Sequence, residues 1–83
     1  MAADKFYVSV INGNRKGLLL GPYDSHQEAL DLVEPVRRYI AKIDEWSVFY
    51  EFGTAGIDSA AWGDKPLPQG KLNSAVDQIK EGG

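Results

Sequence analysis

Ser25 and Glu28 stand three residues apart at the head of an apolar stripe, and this pair constrains the fold more than any other feature of the chain. A serine hydroxyl can accept the N–H of the third helical residue while a glutamate there reaches back to the serine N–H. Two donors that a helix start leaves unpaired are then satisfied together. Behind the pair, Ala29, Leu32, Val33, Val36, Ile40 and Ile43 recur at helical spacing and predict one amphipathic helix. Asp24, Glu28 and Asp31 near its start and Arg37, Arg38 and Lys42 near its end oppose the macrodipole, and Glu34 is spaced to pair with Arg38. Pro35 falls inside the stripe, which predicts a kink near residues 32–34, or a break with Pro35 opening a second helix.

Strand patterns flank this helix. Lys5 to Ile11 alternates, with Phe6, Val8 and Val10 on one face and Tyr7, Ser9 and Ile11 on the other. Asn12 to Gly17 holds two glycines and two asparagines and predicts a reversal, after which Leu18-Leu19-Leu20 reads as a short second strand ended by Gly21-Pro22. Trp46 to Phe52 alternates again and predicts a third strand, aromatic on both faces, with Phe49 on a sheet face that either stays open to a partner or is covered by the C-terminal segment. Residues 53–70 have the Gly- and Pro-rich composition of an irregular loop, in which Trp62 is either an anchor to the core or a recognition residue. Leu72, Ala75, Val76 and Ile79 space as a short C-terminal helix with Asn73 or a neighbour near its cap, fraying over residues 81–83.

The 83 residues suffice for one domain, 1–83, with a single modest core and a surface or shallow groove as the place for function. The absence of cysteine removes disulfides, thiolate nucleophiles and Cys-based zinc sites, and points to a reducing cytoplasm. No apolar run approaches the ~18 residues that span a bilayer, and Met1 to Lys5 lacks the pattern of a signal peptide, so no membrane role is expected. Charge is uneven. Residues 1–43 hold six Lys/Arg against five Asp/Glu and residues 44–83 hold three against seven, so the second half suits a basic partner better than a nucleic acid.

No residue pattern reaches the specificity of a catalytic or metal motif, and no cofactor is expected. His26 lies beside Asp24 and Glu28 at a helix start, a sequence proximity that does not make a triad. One His without Cys, and no Asp-x-Asp-x-Asp loop, leaves no metal-ligand set. Two groups remain as binding candidates. The first is aromatic and acidic: Phe49, Glu51, Asp58, Trp62 and Asp64. The second is basic, with Arg15 and Lys16 on the hairpin loop and Arg37, Arg38 and Tyr39 on the helix, an Arg-aromatic combination suited to single-stranded nucleic acid.

Leu20-Gly21-Pro22-Tyr23-x-Ser25-x-x-Glu28-Ala29 resembles the strand, turn and capped helix of SPOR peptidoglycan-binding domains and of the arm-type DNA-binding domains of phage integrases; SPOR likeness implies glycan binding. Over residues 5–54, Phe6-Tyr7-Val8, Lys16 to Tyr23, Glu34 to Tyr39 and Phe49-Tyr50-x-Phe52-Gly53-Thr54 look like short proteins of proteobacterial phages and plasmids, a setting that includes anti-CRISPR and other anti-defence inhibitors.

These readings predict an α+β fold in β-β-α-β order, a three-stranded antiparallel sheet with the capped helix across one face and a short C-terminal helix closing an edge. The expected function is a non-enzymatic, protein-binding inhibitor of a phage or mobile element, of anti-CRISPR type, that blocks a basic surface of a host effector complex in the host cytoplasm. A nucleic-acid-binding module is the alternative and SPOR-like glycan binding the third. A homodimer through the exposed sheet face or edge is a further expectation.

Overall fold

The computed structural model describes residues 3–82, and its architecture is α+β. Three antiparallel strands, β1 Lys5–Asn12, β2 Arg15–Tyr23 and β3 Glu51–Ile57, form one sheet in the order β2-β1-β3. Helix α1, His26–Ile43, crosses one face, and two shorter helices follow β3: α2 Ser59–Trp62 and α3 Val76–Gly82. Gly83, part of the expected frayed tail, lies outside the described residues.

The β1–β2 reversal is tighter than the composition of residues 12–17 suggests. Asn12 pairs with Arg15, so the turn is only Gly13-Asn14. Gly13 has φ +61° while Asn14 stays at negative φ, the pattern of a two-residue hairpin whose first central position wants glycine. Arg15 and Lys16 therefore belong to β2, opposite Asn12 and Ile11, and not to a loop.

Strand β2 also runs further than Leu20. Val8 faces Leu20 and Ser9 faces Leu18, which leaves Leu19 as an extra residue, a β-bulge. The bulge allows both Leu19 and Leu20 to enter the core, where consecutive strand residues would otherwise point to opposite faces. Gly21 and Pro22, joined by a cis peptide bond, make a second irregularity before Tyr23 pairs with Phe6. Pro22 is tolerated because β2 is an outer strand and the missing N–H has no ladder partner to lose.

Of the two bonds of the expected capping box, α1 shows the first: the Ser25 Oγ accepts the Glu28 N–H at 3.1 Å. Ala29, Leu32, Val36 and Ile40 are the buried face of α1 and pack on Val8, Leu19 and Leu20. The helix continues through Pro35 without a break, since one lost hydrogen bond costs less than separating a stripe already committed to the sheet. Ile43 leaves the stripe at the helix end and is 66 % exposed.

The largest departure from the sequence pattern is at residues 45–57. Glu45–Phe49 form a 3-10 helix, and the third strand starts five residues later than the alternation of Trp46 to Phe52 predicts. Asp44 takes the Trp46 N–H at 3.0 Å, Tyr50 donates its hydroxyl to Asp44 at 2.8 Å, and the Tyr50 N–H bonds to the Ser47 carbonyl at 3.0 Å. Those bonds satisfy the backbone locally, and Trp46, Val48 and Phe49 are left pointing out. The sheet takes Gly53, Ala55 and Gly56 instead, set against Ser9, Tyr7 and Phe6, and at Gly56 the missing β-carbon leaves room for Ala3, whose Cβ would otherwise be 2.7 Å away. Residues 53–57 are thus strand and 59–62 helix, and of the 53–70 stretch only Asp58 and residues 63–70 are irregular.

The C-terminal segment finishes the sheet on its other side. The N–H groups of Gly70, Lys71 and Leu72 donate to the carbonyls of Gly21, Leu18 and Leu19 at 3.2, 3.0 and 2.7 Å, covering the outer edge of β2. Asn73 is a clamp rather than a helix cap: its Oδ1 accepts the Gly21 N–H at 3.0 Å while its amide donates to the Gly21 carbonyl. A short 3-10 turn, Asn73–Ala75, then leads into α3, whose Ile79 is fully buried in the core beneath α1.

Candidate protein-docking surface

The residues that sequence reasoning groups together are divided by the fold. Phe49 and Glu51 lie at the start of β3, whereas Asp58, Trp62 and Asp64 lie beyond its end. Six residue steps of strand separate the two sets, roughly 20 Å. Arg15 and Lys16 sit at the hairpin end of β2, away from Arg37 and Arg38 on the outer side of α1. Arg37 forms two hydrogen bonds to the Glu34 carboxylate, and Arg38 approaches the same carboxylate at 3.7 Å. That pairing holds the Glu34 carboxyl below its usual range and occupies the side chains that a phosphate would need. Tyr39 is half-buried against the core, which leaves little ring face for a base.

At the hairpin end, by contrast, the 3-10 helix assembles an apolar cap. Trp46 is 63 % exposed, Val48 78 % and Phe49 69 %, and exposed Ile43 precedes them in the chain. The Trp46 and Phe49 rings are in contact, with centroids 5.9 Å apart. Four exposed apolar side chains thus fall within the seven residues 43–49, a clustering that single exposed hydrophobics on an ordinary surface do not show. Asp44 anchors the cap from below by capping the 3-10 helix and by accepting the Tyr50 hydroxyl, a bond that raises the Tyr50 phenol above its ordinary value. Sequence alternation missed this geometry; the Asp-Glu pair at 44–45, a helix-start signal placed directly before the rings, is what could have shown it.

The second end of β3 is built differently. Asp58 caps α2 through the Ala60 N–H at 3.0 Å, and Trp62 donates its indole N–H to the Pro66 carbonyl at 3.1 Å, so the ring fastens the 63–69 segment while staying 40 % exposed. Asp4 tethers α2 to the start of β1 by accepting both the Ser59 N–H, at 2.7 Å, and the Ser59 hydroxyl. These bonds favour the charged form and hold the Asp4 carboxyl below its ordinary value. A depressed carboxyl contributes its stabilisation above its unfolded value, about 3.9, and loses it as pH falls through the folded value. In a Trp46→Phe background, Trp62 emission should therefore stay constant down to about pH 4 and shift to the red below it, and Asp4→Asn should show the shifted emission already at neutral pH.

The C-terminal segment covers the sheet face opposite α1 only in part. Fully buried Tyr7 donates its hydroxyl to the Pro68 carbonyl at 2.9 Å, and further along the strands Ser9, Ile11, Lys16, Leu18 and Ala55 surround an open hollow of about 280 Å³. A second groove, about 190 Å³, runs past Arg15, Lys16, Tyr50 and Lys71, and it shares Asn12 and Tyr50 with a hollow of about 380 Å³ against Trp46 and Phe49.

His26 places Nε2 3.0 Å from the Thr54 hydroxyl and its ring against Phe6, centroids 5.6 Å apart, so it ties the start of α1 to β3. Among the described residues no group of three or more His, Asp or Glu side chains is placed to hold a metal ion, and no helix is long and apolar enough to cross a membrane. Comparison with protein-family models, with curated proteins and with solved structures gives no match to this chain.

Proposed function

We propose that this chain is a non-enzymatic protein-docking module whose contact surface is the cap formed by Ile43, Trp46, Val48 and Phe49. The observation that carries the reading is the outward placement of Trp46, Val48 and Phe49 by a 3-10 helix whose own hydrogen bonds are already satisfied. Burying these side chains against a partner removes apolar surface from water at about 25 cal/mol per Å² before the costs of association, and tryptophan and other aromatics are the residues that dominate such contacts. In its narrower form the module is an inhibitor carried by a phage or other mobile element, of anti-CRISPR type, that covers a basic surface of a host effector complex. The acidic balance of residues 44–83 and the exposed Glu45 and Glu51 at the rim of the cap support that form.

Trp46→Ser with Phe49→Ser is the direct test. Both side chains are mostly solvent-facing, so the double variant should keep its thermal midpoint within a few degrees of the unaltered protein. Its affinity for a purified partner should fall by 10-fold or more, as loss of two aromatic anchors does. Unchanged affinity in a folded double variant contradicts the reading.

A second reading draws on the groove that joins Arg15, Lys16 and Lys71 to Tyr50, Phe49 and Trp46, since cations beside exposed rings suit single-stranded nucleic acid. Retardation of a single-stranded oligonucleotide in a gel at low salt, lost at high salt and in Arg15→Gln, would favour it; no retardation at low salt removes it.

A further inference from the structure

The two ends of β3 acquire a relation to each other when its free edge is considered. Strand β3 is an outer strand whose one described backbone partner strand is β1; among the described residues no backbone group bonds to its far side. The opposite edge of the sheet is closed by residues 70–72, so the asymmetry is built into the fold. Exposed edges are normally protected by lysine, proline or a covering loop, and Glu51–Ile57 contains neither residue and has a single charge, at its first position. An apolar cap stands before this edge and a short helix with exposed Ala60, Ala61 and Trp62 stands after it.

We infer that the occupant of this surface is a second copy of the chain, paired antiparallel through β3 about a two-fold axis near Thr54. The inference rests on the docking reading of the cap and names its partner. With Thr54 opposite Thr54 of the other copy, Glu51 faces Ile57, and the chain preceding Glu51 runs on beyond Ile57 of its neighbour. The cap at Trp46 and Phe49 of one copy then meets the Ala60 to Trp62 helix of the other, and symmetry makes the same contact a second time. The two patches that are roughly 20 Å apart within one chain are thus brought together between chains, and the five residues Phe49, Glu51, Asp58, Trp62 and Asp64 fall in a single interface. At about 200 Å² per aromatic side chain, the exposed parts of Trp46, Phe49 and Trp62 from two copies come to roughly 700 Å², and the paired edges bring the total near the roughly 1,000 Å² that a specific interface requires. A target protein that uses the same cap would compete with this self-pairing.

Glu51 would lie one residue from Asp58 of the other copy, and each chain carries a net charge of −3, so screening should tighten the dimer as salt is raised. Docking onto a basic partner responds in the opposite sense. The test is light scattering coupled to size exclusion, with native mass spectrometry, from about 10 µM to about 1 mM, the range in which an interface of this size dissociates. The expected average mass climbs toward twice the 9.1 kDa of one chain, climbs further in high salt, and amides 51–57 gain exchange protection with concentration. Trp46→Lys and Ala60→Glu, each checked for folding by circular dichroism, should each be monomeric alone, while their mixture should form the mixed dimer, because one contact becomes a Lys–Glu pair and the other retains both original residues. A monomer at every concentration and salt, or a dimer indifferent to both substitutions, overturns the inference. The first of those outcomes leaves the docking reading standing if the Trp46→Ser/Phe49→Ser variant still loses a purified partner, so the two claims fail separately.

Discussion

Gly70→Ala should destabilise the protein by about 2–4 kcal/mol, the sum of a backbone overlap and the loosening of an edge. A β-carbon at residue 70 would stand 2.5 Å from both the Leu19 carbonyl oxygen and the Leu20 Cα, and 2.6 Å from the Leu19 carbonyl carbon. These are backbone atoms in the middle of β2 and cannot turn aside as the end of a side chain can. Relief requires residues 70–72 to move off the strand, which weakens the three hydrogen bonds to Gly21, Leu18 and Leu19 and the Asn73 clamp. Denaturant unfolding measures the loss, with Gly53→Ala as the comparison, because a β-carbon there meets nothing within 4 Å and should change the midpoint little.

Ile79→Ala should cost about 3 kcal/mol, in the range of large-to-small substitutions in packed cores. Ile79 is fully buried among Val8, Leu19, Leu20 and the α1 stripe, although it comes from a seven-residue helix at the end of the chain. Such a short helix is not stable alone, so its order depends on this one side chain and on half-buried Val76 and Leu72 beside it. A domain of this size has few kcal/mol in reserve, and the thermal midpoint should fall by ten degrees or more. Lys80→Ala, at an exposed position of the same helix, should leave the midpoint nearly unchanged.

Both substitutions act where the chain closes on itself over long sequence distances, and those are the features the sequence pattern leaves unwritten. The start of α1 is legible because Ser25, Glu28 and the stripe interact within a few turns, and β1 is legible because its bulky residues alternate on a strand whose centre, Tyr7 and Val8, is buried on both faces. The aromatic run from Trp46 to Phe52 misleads for a local reason. Period-2 alternation records only that bulky groups recur, and it is silent on whether the backbone finds partners across a sheet or within its own turn; Asp44 decides for the turn. The true strand carries Gly53, Ala55 and Gly56, poor strand formers taken singly; a β-carbon at Gly56 would stand 2.7 Å from the Ala3 Cβ, so space is needed there, whereas Gly53 faces open space and is held in the strand by its pairing with Ser9. Asn73 reads as a helix cap from its place before an apolar spacing, yet its amide closes on Gly21, 52 residues earlier, a partner that no local pattern could name.

The same contrast bears on the candidate site. Phe49 and Trp62 stand out in the sequence as binding candidates, but Trp46 and Val48 read there only as residues of a strand, and the fold turns them outward. The basic set divides in the other direction, since the Arg37 and Arg38 guanidinium groups are drawn to Glu34 while Arg15 and Lys16 come to border the cap with Lys71.

Site-specific photo-crosslinking tests most directly whether the 3-10 cap is a protein-docking surface. A benzophenone side chain placed at Phe49 should give, on irradiation in the source cells, one discrete adduct with a single protein, whether a target or a second copy. The same group at Ala41, exposed on α1, should give none. Equal labelling from both positions, or no adduct from Phe49, would mean that the cap docks no protein.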